Sequence, residues 1–334
     1  MMDKKVILIF GGTGSLGYEV VSRYLPNNTI YNYSRDECKH WQMKLDFNHN
    51  KNLHFIIGDI INKNKVQETI MRVKPNIVII ASAMKHIDQC EYNTDQSLNT
   101  NLVGVKNILD TIETDKPPSL ETVLFVSSDK ACSPINIYGM CKALSESLLV
   151  EKSYYMKSVK FVNIRYGNVL NSRGSIIPLL HNIGKDDAKK SFTLTNDSMT
   201  RFVMTLEQSV DLIEHALLYG ESGDTVIPKL VSMKVKDLVE IFSEKYKKPI
   251  TVTGIRPGEK LLESLINETQ SARIVVNGEY THIKSLYDFK KEIKEDDLVD
   301  YNSKINPMTK DELMDYLYYY TYCNNINIKG IIKL

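Results

Sequence analysis

Seven residues near the start of the chain, Gly11-Gly12-Thr13-Gly14-Ser15-Leu16-Gly17, constrain the fold more than any other stretch. They follow Lys5 to Phe10, an apolar run with the length of a buried parallel strand, and lead into an amphipathic helix that starts near Ser15. Only a glycine-lined turn lets backbone N–H groups approach a pyrophosphate, and the helix aims its positive end at the same place. A strand, such a turn and a helix form the first half of a βαβ unit. The same rhythm continues, with strands expected at Ile30–Tyr33, Phe55–Ile57, Ile77–Ile80, Val123–Val126 and Lys160–Ile164, and a helix over Asn99–Glu113. Strands alternating with helices to about Val162 predict an α/β fold with a doubly wound parallel sheet.

With 334 residues the chain is long enough for one large or two modest domains. The expected division is a dinucleotide-binding domain over 1–170, completed by about 206–229. A smaller α/β substrate lobe is expected from 171–205 and 230–285, followed by a helical tail over 286–334. Forty-two basic residues nearly balance 41 acidic ones, so no global field points to nucleic acid or a membrane surface. The run Val6–Phe10 is too short for the apolar core of a signal peptide, and no stretch has the length to span a bilayer. Five cysteines without a C-x-x-C spacing indicate reduced thiols in a cytoplasmic setting and give no metal site.

The strand tips expected beside the glycine turn carry the next set of candidates. Ile30–Tyr33 runs into Ser34-Arg35-Asp36. A carboxylate at this tip favours NAD, whereas an arginine favours the 2′-phosphate of NADP. Arg35 comes first, so NADP is expected, with NAD as the alternative that Asp36 keeps open. Asp59-Ile60 closes the third strand, with an N-cap as the other reading of Asp59. Ala81 and Ala83 after the fourth are small enough for a cofactor to lie against the backbone. Lys85 follows at a strand's carboxyl end, where side chains point into the ligand crevice. His86 beside it is read as structural.

The stretch V-S-S-D-K-A-C-S-P-I-N-I-Y-G-M-C-K-A-L, Val126 to Leu144, carries the reactive groups. Tyr138 and Lys142 stand four apart on a helix entered near Asn136, hence on one face. An ammonium beside a phenol lowers its pKa, which makes a proton shuttle near neutral pH. Ser128 lies at the end of the preceding strand, and Asp129-Lys130 follow it directly.

Beyond Ile164 the rhythm breaks. Asn168 and Arg173 stand in R-Y-G-N-V-L-N-S-R-G-S, and Thr195-Asn196-Asp197 and Thr200-Arg201-Phe202 are expected to form a polar loop. Helices are expected over Glu207–Tyr219 and Val235–Tyr246, and a strand over Thr225–Pro228. Gly254-Ile255-Arg256-Pro257-Gly258-Glu259-Lys260 is a loop fixed by Gly and Pro. Arg173, Arg201 and Arg256 together form a candidate clamp for a diphosphate. The tyrosine-rich end (Tyr316, Tyr318, Tyr319, Tyr320) reads as helical packing.

These motifs resemble the extended short-chain dehydrogenase/reductases, in which G-x-x-G-x-x-G, a strand-end Ser and Y-x-x-x-K recur. Within them, S-S-D-K-A-x-x-P-I-N-x-Y-G, Y-S-R-D-E, M-K-H, M-T-R-F, I-P-K-x-x-S-M-K and G-I-R-P-G-E-K look like the C5-inverting UDP-N-acetylglucosamine 4,6-dehydratases. The match runs from Val6 to about Ile266; Met84 and Ser128 depart from the usual aliphatic and Thr. The resemblance implies a cofactor site made of Gly11, Thr13, Gly14, Ser15, Leu16, Gly17, Ser34, Arg35, Asp59, Ile60, Ala81, Ala83, Lys85, Tyr138 and Lys142. It implies UDP-N-acetylglucosamine held by Lys85, Asn168, Arg173, Thr195, Arg201, Arg256 and Glu259, in a homo-oligomer (dimer or hexamer). Tyr138 is then the base at O4, Lys142 tunes it and holds the nicotinamide ribose, and Ser128 binds O4. Lys130 becomes the base at C5, with a pKa lowered by burial and Lys142, and Asp129 the acid at the C6 hydroxyl. Asn101 organises the proton relay. The alternatives are a sugar-nucleotide 4-epimerase, which leaves Asp129 and Lys130 without work, and a nucleotide sensor, which has no use for Tyr138 and Lys142.

Overall fold

Six apolar runs become the parallel strands of one sheet in the computed structural model, which describes residues 3–288 and 299–322. They are β1 (Val6–Phe10), β2 (Thr29–Ser34), β3 (Leu53–Ile57), β4 (Ile77–Ile80), β5 (Thr122–Val126) and β6 (Lys160–Ile164). Their order in the sheet is β3-β2-β1-β4-β5-β6. β1 pairs in parallel with β2 on one side (Ile7 opposite Ile30) and with β4 on the other (Ile7 opposite Ile77). The chain therefore reverses its winding direction between β1 and β4, and a crevice opens at the carboxyl ends of these strands. All four residues of β4 and all five of β5 are buried, because helices cover both faces of a parallel sheet. One apolar cluster lies on each face, around Ile7, Ile9 and Leu124 on one side and Leu8, Phe10 and Phe125 on the other.

The short strand β7 (Asn168–Val169) leaves this sheet and opens the second lobe. There β8 is Phe192–Leu194, β9 Thr200–Met204, β10 Thr225–Pro228, β11 Val231–Lys234 and β12 Ile250–Val252. β10 returns to the main sheet beside β6, and a hairpin of β14 (Ile274–Asn277) and β15 (Tyr280–Ile283) extends it antiparallel to nine strands. β13 (Ser264–Ile266) pairs with β16 (Tyr301–Asn302) behind the crevice. The lobe has its own apolar centre, which includes Phe192, Leu238, Phe242, Leu313 and Leu317. The last two belong to helix Lys310–Tyr322, so the expected packing of the tail is made by Leu313, Leu317 and Tyr316, while Tyr318 and Tyr319 are exposed. The side chain of Tyr320 and residues 289–298 and 323–334 lie outside the described residues.

Thr200-Arg201-Phe202, expected as a polar loop, is instead the start of β9, and every residue of that strand is buried. The polar groups misled because both find partners inside. Thr200 shares a hydrogen bond with the buried Ser303, and Arg201 donates to backbone carbonyls. The two lobes are joined by Arg165 at the end of β6. Its guanidinium forks onto Glu146 (2.8 and 2.6 Å) and reaches the Leu265 carbonyl and Gln270 in the lobe. Among the described residues no helix is long and apolar enough to cross a membrane.

Candidate active site

A cavity of about 690 Å³ occupies the crevice, lined by the carboxyl ends of β2 and β5 and the turns after β1, β3 and β4 on one side and by β7 on the other. Its floor is the glycine turn. Gly11 has φ +92°, and a Cβ there would lie 2.6 Å from the backbone nitrogen of Ser82, so only glycine lets these two segments meet. Gly14 stands at the head of helix Ser15–Tyr24 with no side-chain cap, which leaves the helix's first N–H groups facing the cavity. The concave, uncapped turn fits a dinucleotide's pyrophosphate. Gly11, Thr13, Gly14, Ser15, Leu16, Gly17, Ser34, Arg35, Asp59, Ile60, Ala81, Ala83 and Lys85 all line this cavity.

At the β2 tip the two charged neighbours are used differently. Asp36 caps helix Glu37–Asp46 by accepting from the Lys39 backbone N–H at 3.1 Å, and it pairs with the Lys39 ammonium at 2.6 Å. Arg35 is exposed and reaches Asp59 at only 3.4 Å. Asp59 does not cap the next helix; Asn62 does, and Asp59 instead accepts from Ile61 N–H.

Ser128, Lys130, Tyr138 and Lys142 stand on the opposite wall. Asn136 starts helix Ile137–Tyr155 by accepting from Gly139 N–H, which sets Tyr138 and Lys142 on the inward face. Gly139 packs so closely on the Lys130 carbonyl that no side chain fits there, and this contact ties the helix to the Asp129–Ala131 turn. Lys142 is buried and donates to the Val126 carbonyl at 2.7 Å, with the Phe125 ring 4.4 Å away. Burial lowers its pKa to about 7. The Tyr138 phenol is pushed up, first by burial and then by Asp129, with the Ser128 hydroxyl working against them. This corrects the expectation of a lowered phenol: the Lys142 nitrogen lies 6.0 Å from the Tyr138 ring and is committed to a carbonyl.

Asp129 and Lys130 occupy a short turn capped by Ser128. The Ser128 hydroxyl donates to Asp129 Oδ1 at 2.8 Å, and Lys130 Nζ donates to the same oxygen at 3.0 Å. Asp129 itself does not line the cavity, and its Oδ2 has no hydrogen-bond partner among the described residues. Burial alone would push Lys130 down, but the carboxylates of Asp129 and Glu263 outweigh it and hold the amine above its ordinary value. The expectation of a lowered Lys130 is therefore corrected, since two anions flank it. Lys130 also reaches Asn168 Oδ1, at 3.4 Å.

The proposed diphosphate clamp is not assembled. Arg173 lies over the glycine turn, its backbone N–H bonded to Ser15 Oγ and its guanidinium 3.5 Å from the Thr13 carbonyl. Lys85 donates to the Arg173 carbonyl at 2.7 Å and is lowered by burial and by Arg173. Arg201 is buried against the carbonyls of Thr200 and Lys260. Arg256 is exposed and paired with Glu259. Thr195, Arg201, Arg256 and Glu259 do not line the cavity, whereas Lys85, Asn168 and Arg173 do. Asn101 sits in a π-helical turn, Asn99–Val103, and its side chain bridges both backbone groups of Met84. Sequence reading missed Lys39, whose signal was its i,i+3 spacing from Asp36. It also missed Glu263, a carboxylate inside the apolar run Leu261–Ile266.

Residues 7–285 match the family described as polysaccharide biosynthesis protein. A UDP-glucose 4-epimerase of Rickettsia bellii is 39% identical over 295 residues, covering 85% of this chain and 84% of that protein. The X-ray structure of Pen from Bacillus thuringiensis superposes with a TM-score of 0.88 at 32% identity, over 96% of this chain and 99% of that one. DesIV from Streptomyces venezuelae, a dTDP-glucose 4,6-dehydratase with NAD and TYD bound, shares the fold at a TM-score of 0.66 and 15% identity, over 77% of this chain and 86% of its own. With strand order, glycine turn and Tyr-Lys helix in place, the chain belongs to the polysaccharide biosynthesis protein family, within the extended short-chain dehydrogenase/reductases.

Proposed function

We propose that the protein is a UDP-N-acetylglucosamine 4,6-dehydratase that inverts C5 and uses NADP. The observation that carries this reading is Lys130 on the same cavity wall as Tyr138, its ammonium 3.0 Å from the buried Asp129. A hexose cannot lose water across C5–C6 while C4 is an alcohol, because its C5 hydrogen is not acidic. Oxidation at C4 places C5 next to a carbonyl, and a base can then remove that proton. A nicotinamide dinucleotide held by the glycine turn would supply the hydride chemistry that links C4 and C6. Tyr138 receives the O4 proton, Ser128 holds O4, and Lys142 fixes the ribose. The Asp129–Lys130 pair, titrating as one unit, takes the C5 proton and gives one to the C6 hydroxyl, which leaves as water. As C6 is reduced, a solvent proton adds to C5 on the opposite face, which inverts it, and Tyr138 returns the O4 proton to solvent.

The dinucleotide is held by the glycine turn, and Arg35 with Lys39 supplies the cations for a 2′-phosphate. Asp36, spent on its helix cap and on Lys39, is not free to favour a ribose diol. Arg35→Ala is expected to weaken NADP by about 1.5–3 kcal/mol for a lost charge-assisted contact while leaving NAD nearly unchanged. Calorimetry with each dinucleotide tests this, and equal losses for both would remove the case for NADP.

A 4-epimerase is the second reading, favoured by the name of the Rickettsia relative. It needs Tyr138 and the dinucleotide but gives Asp129 and Lys130 no task. Mass spectrometry of UDP-N-acetylglucosamine after incubation with the enzyme separates the two. The dehydratase product is lighter by one water, and an unchanged mass favours the epimerase.

A further inference from the structure

A buried carboxylate with one oxygen that takes no hydrogen bond among the described residues stands behind Lys130. Glu263 precedes β13 and is 1% exposed, and its Oε2 has no hydrogen-bond partner among the described residues. Its nearest cations are Lys130 at 3.7 Å from Oε1 and Lys260 at 3.7 Å from Oε2. Its backbone is fixed in both directions, Glu263 N–H donating to Ser303 Oγ and Ser303 N–H to the Glu263 carbonyl. A buried anion with such an oxygen is a poor structural choice, because apolar groups of equal size stabilise such sites as well or better. The surroundings show what it serves. Lys260 donates to the Cys132 carbonyl at 2.8 Å, and the Gly258 carbonyl accepts from the Asn136 amide at 2.8 Å. Arg201, donating to the Lys260 carbonyl, holds the segment from the other side. The Gly254–Lys260 loop and its continuation to Glu263 thus brace the turn that carries Asp129 and Lys130.

We propose that Glu263 is the positioning residue of the Asp129–Lys130 pair: it holds the Lys130 ammonium from behind and fixes it at the cavity wall between Asp129 and Asn168. This rests on the dehydratase reading for its consequence, but not for its geometry. The charged and titratable groups around the trio are Arg201 and Lys260 from the second lobe, and Tyr138 and Tyr166 from the crevice side. Glu263 is raised first by burial, and the cations Lys130, Arg201 and Lys260 oppose that. With two carboxylates facing it, Lys130 stays charged in the resting enzyme. Removing one of them leaves Asp129 as its anion.

The test titrates Lys130 directly in the full-length enzyme, by labelling with acetic anhydride across pH and quantifying the Lys130 peptide by mass spectrometry. In Glu263→Gln the labelling midpoint is expected to fall by about one pH unit or more, the usual effect of an opposite charge within ~4–6 Å. Glu263→Asp, which keeps the charge but withdraws it, is expected to lie between the two and serves if the Gln variant does not fold. A midpoint equal to the wild type in the variant that folds overturns the proposal. With UDP-N-acetylglucosamine and NADP, the acid-side midpoint for C5 deuterium exchange is expected to fall by the same amount, and kcat to drop with little change in KM. A KM effect alone, with an unmoved exchange profile, also overturns it. If wild-type enzyme exchanges no C5 proton while the labelling midpoint still shifts, the dehydratase reading fails and the positioning role stands.

Discussion

Tyr138→Phe is expected to abolish turnover of UDP-N-acetylglucosamine, with a loss of about 10²–10⁴-fold, the range for removing a positioned acid–base group. Helix Ile137–Tyr155 places the phenol inside the crevice, where the cavity wall also carries Ser128 and Lys142. Burial keeps the phenol protonated in the free enzyme. In the proposed reaction its task at O4 therefore begins only when the cavity is filled. Because the substitution removes one hydroxyl and no packing, the variant is expected to fold and bind NADP as the wild type does. It would show neither the near-ultraviolet absorbance of reduced dinucleotide nor deuterium at C5. Retention of more than a tenth of the wild-type rate would mean that another group receives the O4 proton.

Lys130→Ala is expected to divide the reaction at a later point. In the proposed reaction, oxidation at C4 depends on Tyr138 and the dinucleotide, whereas water loss depends on the Asp129–Lys130 pair. The variant is expected to accumulate reduced dinucleotide while dehydration falls by about 10²–10⁴-fold. Exchange at C5 would stop with it. The variant also leaves Asp129 and Glu263 without their shared cation, so its stability is to be compared with the wild type by thermal unfolding at the assay pH. Lys130→Met restores the apolar volume and gives the same kinetic result if the amine matters for chemistry. Wild-type rates in a folded Lys130→Met enzyme would mean that the amine takes no part in moving the C5 and C6 protons.

The parallel sheet was legible because buried strands read as short apolar runs, and the glycine turn fixed where the first of them begins. The cavity lining from Ser34, Asp59 and Ala81 was legible for the same reason: these residues sit at or just beyond strand tips, and strand tips converge by topology. The lobe was harder. Its strands are short, β9 carries Thr200 and Arg201 in its interior, and their partners (Ser303 and the Lys260 carbonyl) lie far along the chain. No local pattern distinguishes a buried, satisfied arginine from one waiting for a phosphate, so Arg201 and Arg256 were grouped with Arg173. Glu263 was hidden by the opposite effect, because a carboxylate in an apolar run reads as a strand-edge residue. The pKa direction of Tyr138 depended on burial, and that of Lys130 on Asp129 and Glu263 outweighing burial; neither burial nor the approach of Glu263 is revealed by spacing along the sequence.

NMR of the product formed from UDP-N-acetylglucosamine in D₂O tests the dehydratase assignment most directly. The expected product is a 4-keto sugar with a methyl group at C6, one deuterium at C5 and the L-arabino configuration. A product that keeps its C6 hydroxyl, carries no deuterium at C5 and differs from the substrate only at C4 would contradict it, and would make the protein a 4-epimerase.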